Sequence, residues 1–232
     1  MQRLIDSINA IAFDLDGTLI DSLPDLVQAA RQMLVRFDSP PLTDAQLRAH
    51  IGDGVDALVE RTLKSATGHA PDADTLARAV RQFRAIYAER VFDKSRVYDG
   101  VREALETLGD FGLQLGCITN KPSVFTRPLL QAAGLAETFS FILCADHLED
   151  RKPAPNLLQR ACKSLHLEPA DMLLVGDSHA DFLAARAAGC GIAWVNYGYG
   201  SLPADVVPDW TIGSLTEITS LTAGALPAPA AN

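Results

Sequence analysis

The 232-residue chain has no apolar run long enough to span a membrane and no excess of positive charge. The first absence excludes a spanning helix. The second is quantitative: 20 Lys and Arg stand against 29 Asp and Glu, a formal net charge of -9. Nucleic-acid backbones recruit basic faces, so this charge disfavours nucleic acid as a partner. A small anionic substrate needs only a local cluster of positive charge, and the acidity at large serves solubility. The four cysteines, Cys117, Cys144, Cys162 and Cys190, include no C-x-x-C pair and no histidine at metal spacing. That excludes a zinc ribbon and leaves buried free thiols in a reducing compartment as the expectation. A secretory pattern is missing too, since Asp6 interrupts the N-terminal stretch and the next apolar run stops at Asp14. A cytoplasmic location is therefore expected. There is no internal repeat.

What is present is an alternation. Short apolar runs at Ala10–Phe13, Leu113–Ile118, Phe141–Ala145, Met172–Val175 and Gly191–Val195 read as buried strands. Helical patterns lie between most of them. Val124, Leu129, Leu130 and Ala133 fit one helix, closing at Gly134. Leu157, Leu158, Ala161 and Leu165 fit a second. Phe182, Ala185 and Ala188 fit a third, with Gly189 as its C-cap. Such alternation predicts an α/β, doubly wound, parallel-sheet (Rossmann-like) core. A weak run at Trp210–Ile212 extends one edge.

One interval breaks the rhythm. From about Ser22 to about Arg96 the pattern is helical without strands. Val55, Leu58, Val59, Thr62 and Leu63 share one face, and Leu76, Val80, Phe83, Ile86 and Tyr87 another. This predicts a helical cap over residues 21–96, inserted into a catalytic core of residues 1–20 and 97–222. Its hinges are expected near Leu19–Leu23 and Ser95–Gly100. Residues 223–232 are Ala/Pro-rich and read as a disordered tail.

Ligands of a doubly wound sheet bind beyond the carboxyl ends of its strands. The first strand ends in Asp14-Leu15-Asp16-Gly17-Thr18, the second in Thr119-Asn120-Lys121. The segment after the third carries Arg151-Lys152-Pro153, and the fourth ends in Gly176-Asp177-Ser178, then Asp181. Two carboxylates two residues apart repel unless a cation or a shared proton relieves them. The set matches the needs of phosphoryl transfer on magnesium. Asp14 and Asp177 supply carboxylates to a hard cation, and the backbone carbonyl of Asp16 supplies a third oxygen. A lysine neutralises the phosphate while Thr119 and backbone N–H groups orient its oxygens. Asp14 can attack phosphorus to give an aspartyl-phosphate, and Asp16 can act as general acid and base. Gly17 permits the sharp exit from the strand.

Each residue also has a plainer reading. Asp14 and Asp16, or Asp177 and Asp181, would cap helices. Thr119 and Asn120 would be turn residues, and Lys152 a surface lysine. His50, His69, His147 and His166 read as surface or packed side chains, and His179 as solvent-facing unless it approaches the substrate. Gly52 and Gly54 are either turn glycines or places where backbone N–H groups approach a small carboxylate.

Taken together and in this order, Asp14–Thr18, Thr119–Lys121, Lys152-Pro153 and Gly176–Ser178 with Asp181 resemble the four motifs of the haloacid dehalogenase superfamily, in its phosphatase branch. The resemblance covers nearly the whole chain, and one subclass inserts a helical cap where residues 21–96 stand. It implies Asp14 as nucleophile and Asp16 as acid/base. Thr119, Asn120 and Lys152 would bind the phosphate, and Asp14, Asp16 and Asp177 a Mg2+ ion, with Thr18, Ser178 and Asp181 in support.

Within that branch the opening Asp14–Ser22, the stretch Ile51-Gly52-Asp53-Gly54-Val55, the run Thr119–Pro122 and the run Asn196–Gly200 are similar to phosphoglycolate phosphatases. This implies 2-phosphoglycolate as substrate, selected by the cap loop Gly52, Asp53 and Gly54. His179 and Arg151 depart from the usual residues of that group. The expected partner is a small phosphorylated acid, with neither nucleic acid nor membrane, and the chain is expected as monomer or homodimer. The alternatives are a phosphatase or phosphomutase for a small sugar phosphate, a dehalogenase, and, from another class, a phospho-accepting signalling module.

Overall fold

The computed structural model of the chain describes residues 8–223. Its strands in chain order are β1 (Ala10–Phe13), β2 (Ile20–Asp21), β3 (Arg96–Val97), β4 (Gln114–Thr119), β5 (Phe141–Cys144), β6 (Met172–Gly176), β7 (Gly191–Val195) and β8 (Trp210–Ile212). Six of them form one sheet in the order β5-β4-β1-β6-β7-β8. Every pairing in it is parallel. From β1 the chain runs outward through β4 and β5, then returns to the other side through β6, β7 and β8. The order reverses beside β1, so the crevice beyond its carboxyl end is the ligand position of such a sheet.

Period-two alternation explains why these strands are apolar throughout. Ile11, Phe13, Leu115, Cys117, Leu173 and Val175 pack on one face of the sheet. They meet α5 (Val101–Asp110), α6 (Ser123–Ala132) and α9 (Thr216–Ala223). Ala10, Ala12, Met172, Leu174 and Ile192 pack on the other. They meet α7 (Asn156–Leu165) and α8 (His179–Ala188). Both faces are covered, as a parallel sheet requires. Helix ends follow the predicted signals closely. Gly189 caps α8 in the left-handed region at φ 81°, and Gly134, at φ 65°, follows the Ala133 cap of α6.

Between β2 and β3 lie α1 (Leu23–Arg36), α2 (Asp44–Arg48), α3 (Val55–Thr67) and α4 (Ala73–Ala88). They enclose an apolar cluster of their own: Met33 and Leu34 of α1, Val59 and Leu63 of α3, and Phe83 and Tyr87 of α4. Phe125 of α6 is the core's contribution, its ring edge-on to Tyr87 at 5.1 Å. Of the two predicted stripes, that of α3 is buried in full. In the other, Leu76 and Val80 lie half-buried at the rim.

The expectation of an interval wholly without strands is corrected at its ends. Ile20 pairs with Val97 and Asp21 with Arg96 in an antiparallel two-stranded ribbon. Two-residue strands are too short to carry a periodic signal. The ribbon brings the two crossings between core and helices side by side, and Asp25 of α1 ties them. Its buried carboxylate accepts hydrogen bonds from the Lys94 and Ser95 amides and from the Ser95 hydroxyl, at 2.5–3.0 Å.

No helix among the described residues is long and apolar enough to cross a membrane. The tail beyond Ala223 lies outside the described residues.

Asp25→Ala strands three donors at the crossings. It is expected to lower stability by about 3 kcal/mol in urea titration. A loss under about 0.5 kcal/mol would mean that the ribbon holds the crossings without it.

Candidate active site

The turn after β1 is built by hydrogen bonding back onto itself. The amides of Leu19 and Ile20 both donate to the Leu15 carbonyl, and the Gly17 amide donates to that of Ile20. Gly17 sits at φ 88°, and a Cβ there would lie 2.5 Å from an Asp177 carboxylate oxygen. Only glycine allows both the backbone angle and that approach. The turn thereby brings Asp14 and Asp16 beside residues that are more than a hundred positions away in sequence.

Asp14, Asp177 and Asp181, all buried, present carboxylate oxygens within 4.8 Å of one another. Lys152 stands among them. Its ammonium lies 2.8 Å from Asp14 and 2.5 Å from Asp181, and donates to the Ile118 carbonyl at 3.0 Å. Burial opposes the charge on Lys152, but Asp14 and Asp181 outweigh it and hold the ammonium above the ordinary lysine range. Three carboxylates against one ammonium leave two negative charges in a buried site. The imbalance appears in the titration of the carboxyls. Burial pushes Asp14 up to about 7, with Lys152 opposing and Asp181 and Asp177 adding to the rise. Burial and Asp181 push Asp177 up to about 6, against hydrogen bonds from the Tyr199 and Gly200 amides and the Thr18 hydroxyl.

All-oxygen donors with an excess of two negative charges fit a hard divalent cation. Asp14, Asp177 and Asp181 are the side chains placed to hold one. The Asp16 side chain is not in that cluster. Its oxygens are each 3.0 Å from the Lys121 ammonium, and one accepts the Ser22 hydroxyl at 2.5 Å.

The other predicted residues divide into groups. Thr119 is buried, and its hydroxyl oxygen accepts the Lys121 amide at 3.1 Å, which leaves its own hydrogen to donate. Asn120, expected to bind phosphate, has its side chain spent on the backbone. It accepts the Lys152 amide at 2.7 Å and donates to the carbonyls of Lys152 and Gly52, both at 3.0 Å. Its amide braces the lysine loop against the helical segment. Ser178 and Asp181 form a capping box at the start of α8, so the plainer reading of Asp181 holds alongside its contact with Lys152.

Thr18 donates to Asp177 at 3.1 Å. Gly52 and Gly54 face the cleft. Asp53 does not; it pairs with Arg61 on the surface. His179 is exposed and stacks on Phe182.

A cavity of about 40 Å³ lies between these strand ends and the helices. Its floor is Asp14, Asp16, Thr119, Asn120 and Lys121, and its roof is Leu26, Ile51, Gly52, Gly54, Val55 and Leu58. Arg151 bridges the two walls through Asp56 of α3 at 2.8 Å.

Three contributors were not assigned a role from sequence. Lys121 stood visible in the Thr-Asn-Lys run. Tyr199 stood visible in Asn196–Gly200: its amide donates to Asp177 at 2.6 Å, and its hydroxyl accepts the Leu23 amide at 2.8 Å. Ser22 stood visible at the close of the Asp14–Ser22 run, and its hydroxyl donates to Asp16.

Carboxylates on β1 and β6 around one lysine, beneath an inserted helical segment, define a hydrolase site on a doubly wound sheet. A family model described as haloacid dehalogenase-like hydrolase matches residues 11–195, and the chain belongs to that family. It is an enzyme, and its relatives make it a phosphatase. It is 41% identical over 216 residues to a phosphoglycolate phosphatase of Nitrosospira multiformis, covering 92% of this chain and 95% of that one. Over 192 residues it is 43% identical to a phosphoglycolate phosphatase of Thiobacillus denitrificans, covering 83% and 85%. Among solved structures, a predicted phosphoglycolate phosphatase from Haemophilus somnus superposes with a TM-score of 0.88 at 34% identity, over 93% of this chain and 98% of that one.

The raised carboxyls set a pH dependence. Between about pH 4 and 7 the folded protein holds protons on Asp14 and Asp177 that the unfolded chain has released. Stability of the metal-free protein therefore falls as pH rises through that window. A fall on the order of 5 °C in Tm is expected. A divalent cation competes with those protons, so it should raise Tm more near pH 7.5 than near pH 5. Equal shifts at both pH values would contradict the placement of the ion among these carboxyls.

Proposed function

We propose that the chain hydrolyses 2-phosphoglycolate to glycolate and phosphate, through an aspartyl-phosphate on Asp14. The observation that carries this reading is the position of Asp14. It ends β1 at the switch point of the sheet, beside the one ammonium of the carboxylate cluster, and lines the cavity beneath the helices.

Asp14 supplies the carboxylate oxygen that attacks phosphorus, while the bond to the leaving oxygen breaks. Lys152 holds Asp14 2.8 Å away and offers positive charge to the phosphate oxygens. The free hydrogen of Thr119 donates to one of them. Asp16, paired with Lys121, takes up a proton as the substrate binds and gives it to the departing glycolate oxygen. It then takes one from the water that cleaves the acyl phosphate, which frees Asp14 and inorganic phosphate. Asp14 and Asp177, with the Asp16 carbonyl, would hold Mg2+, which would supply charge neutralisation for the phosphate. Asp181 belongs to the same cluster, and it also caps α8 and holds Lys152.

Residues 21–96 act as a cap that closes over the site and excludes bulk water. Support comes from the contacts that already join the two walls, Arg151 to Asp56 and Asn120 to Gly52. The substrate assignment draws on the relatives and on the roof of the cavity. That roof is aliphatic apart from two glycine backbones, and it offers no side-chain partner to the hydroxyls of a sugar. The four cysteines are free and buried, which supports a reducing, cytoplasmic setting.

Asp14→Asn should retain its circular dichroism and lose at least about 10⁴-fold in kcat, as loss of a nucleophile does in other enzymes. Mass spectrometry must exclude deamidation. Phosphate release across a panel of phosphorylated acids and sugars, with and without chelator, tests the rest. The expected result is preference for 2-phosphoglycolate and loss of activity in chelator, restored by Mg2+. Equal rates across the panel would overturn the substrate, and full rates in chelator would overturn the ion.

A further inference from the structure

The mechanism above uses one of the two buried ammonium groups in the cleft and leaves the other idle. Lys152 spends its donors on Asp14, Asp181 and the Ile118 carbonyl. Lys121 lines the cavity beside Asp16 and against α4 of the helical segment. Its side chain is 3% exposed, and its ammonium sits 3.0 Å from each Asp16 oxygen and 4.6 Å above the centre of the Tyr87 ring of α4. Asp16 and the Tyr87 ring are the partners its ammonium shows among the described residues. Among the described residues that line the cavity, Lys121 is the one cation.

A buried ammonium is costly and is retained where it meets an anion. Asp16 balances its single charge, and what remains to be explained is its position. Lys121 faces the roof made by Gly52, Gly54 and Val55, where α3 begins. Gly54 caps that 13-residue helix with no side-chain hydrogen bond to its first amides. The first amides of α3, without a side-chain cap, and the Lys121 ammonium thus line the same cavity as Asp14. Leu26, Ile51 and Leu58 fill the remaining wall and offer nothing to an anion.

We propose that Lys121 is the receptor for the carboxylate of the substrate and sets the preference for a phosphorylated acid over a neutral phosphate ester. The proposal rests on the reading of the substrate given above. A carboxylate two bonds from the ester oxygen comes against Lys121 when the phosphate lies at Asp14. The methylene between them meets the aliphatic wall.

The test compares 2-phosphoglycolate with 2-hydroxyethyl phosphate, which keeps the phosphate and replaces the carboxylate by a neutral hydroxymethyl group. The quantity read is the ratio of kcat/KM for the two. Loss of Lys121 also disturbs Asp16, but that effect falls on both substrates and cancels in the ratio. In Lys121→Met the ratio is expected to collapse by about 30-fold or more, mostly through a higher KM for 2-phosphoglycolate. Lys121→Arg keeps the charge and is expected to retain most of the preference, which covers the case in which the methionine variant does not fold.

A Lys121→Met enzyme whose preference is intact overturns the proposal and leaves the substrate reading standing. An active Lys121→Arg enzyme that is indifferent to the carboxylate overturns it equally. A wild-type enzyme that does not favour 2-phosphoglycolate overturns both.

Discussion

The ammonium of Lys152 is the interaction on which the site depends. It lies among Asp14, Asp181 and the Ile118 carbonyl, beneath both the first and the fourth core strand ends. Without that charge, three buried carboxylates would face one another across 4.8 Å. With it, the surplus falls to two charges, which is what a divalent cation carries. Other parts of the structure serve its placement. Asn120 holds the Lys152 backbone at both its amide and its carbonyl, and Asp181 is held by its own helix cap before it meets the lysine.

A second consequence is a division of labour between two similar ion pairs. Lys152 with Asp14 lies at the end of β1, beside Asp181. Lys121 with Asp16 lies against Tyr87 of the helical segment. Both lysines are buried, and each is held charged by its carboxylates against the cost of burial. Residues two apart on one turn thus work in separate electrostatic settings, because Gly17 lets that turn fold back tightly against Asp177. The helices close this arrangement from above through a few directed contacts, with Phe125 packed into their core as the apolar anchor.

Much of this was legible before the fold was seen, for reasons that differ by element. The core strands were readable because both faces of a parallel sheet are buried and the runs are apolar throughout. Helix ends were readable where glycine alone tolerates the backbone, as at Gly189. The ribbon of Ile20–Asp21 with Arg96–Val97 was not, since two residues leave no pattern. The role expected of Asn120 was read from its place in a strand-end motif, whereas its hydrogen bonds run to Gly52 and Lys152, 68 and 32 positions away. Tyr199 shows the same limit: it was conspicuous in sequence, yet its bonds to Asp177 and Leu23 arise only from packing.

The sequence by itself determined the sheet, the inserted helices and which carboxylates and lysines stand at strand ends. These follow from local periodicity and from the rule that a doubly wound sheet presents its strand ends to ligands. The tertiary structure decided which charges meet. It paired Lys152 with Asp14 and Asp181, sent Lys121 to Asp16, turned Asp53 out to Arg61 and gave the cavity its aliphatic roof. Those outcomes depend on distances of a few ångströms between residues far apart in the chain. Coulomb energy and hydrogen bonding change over that scale, and local sequence does not encode it.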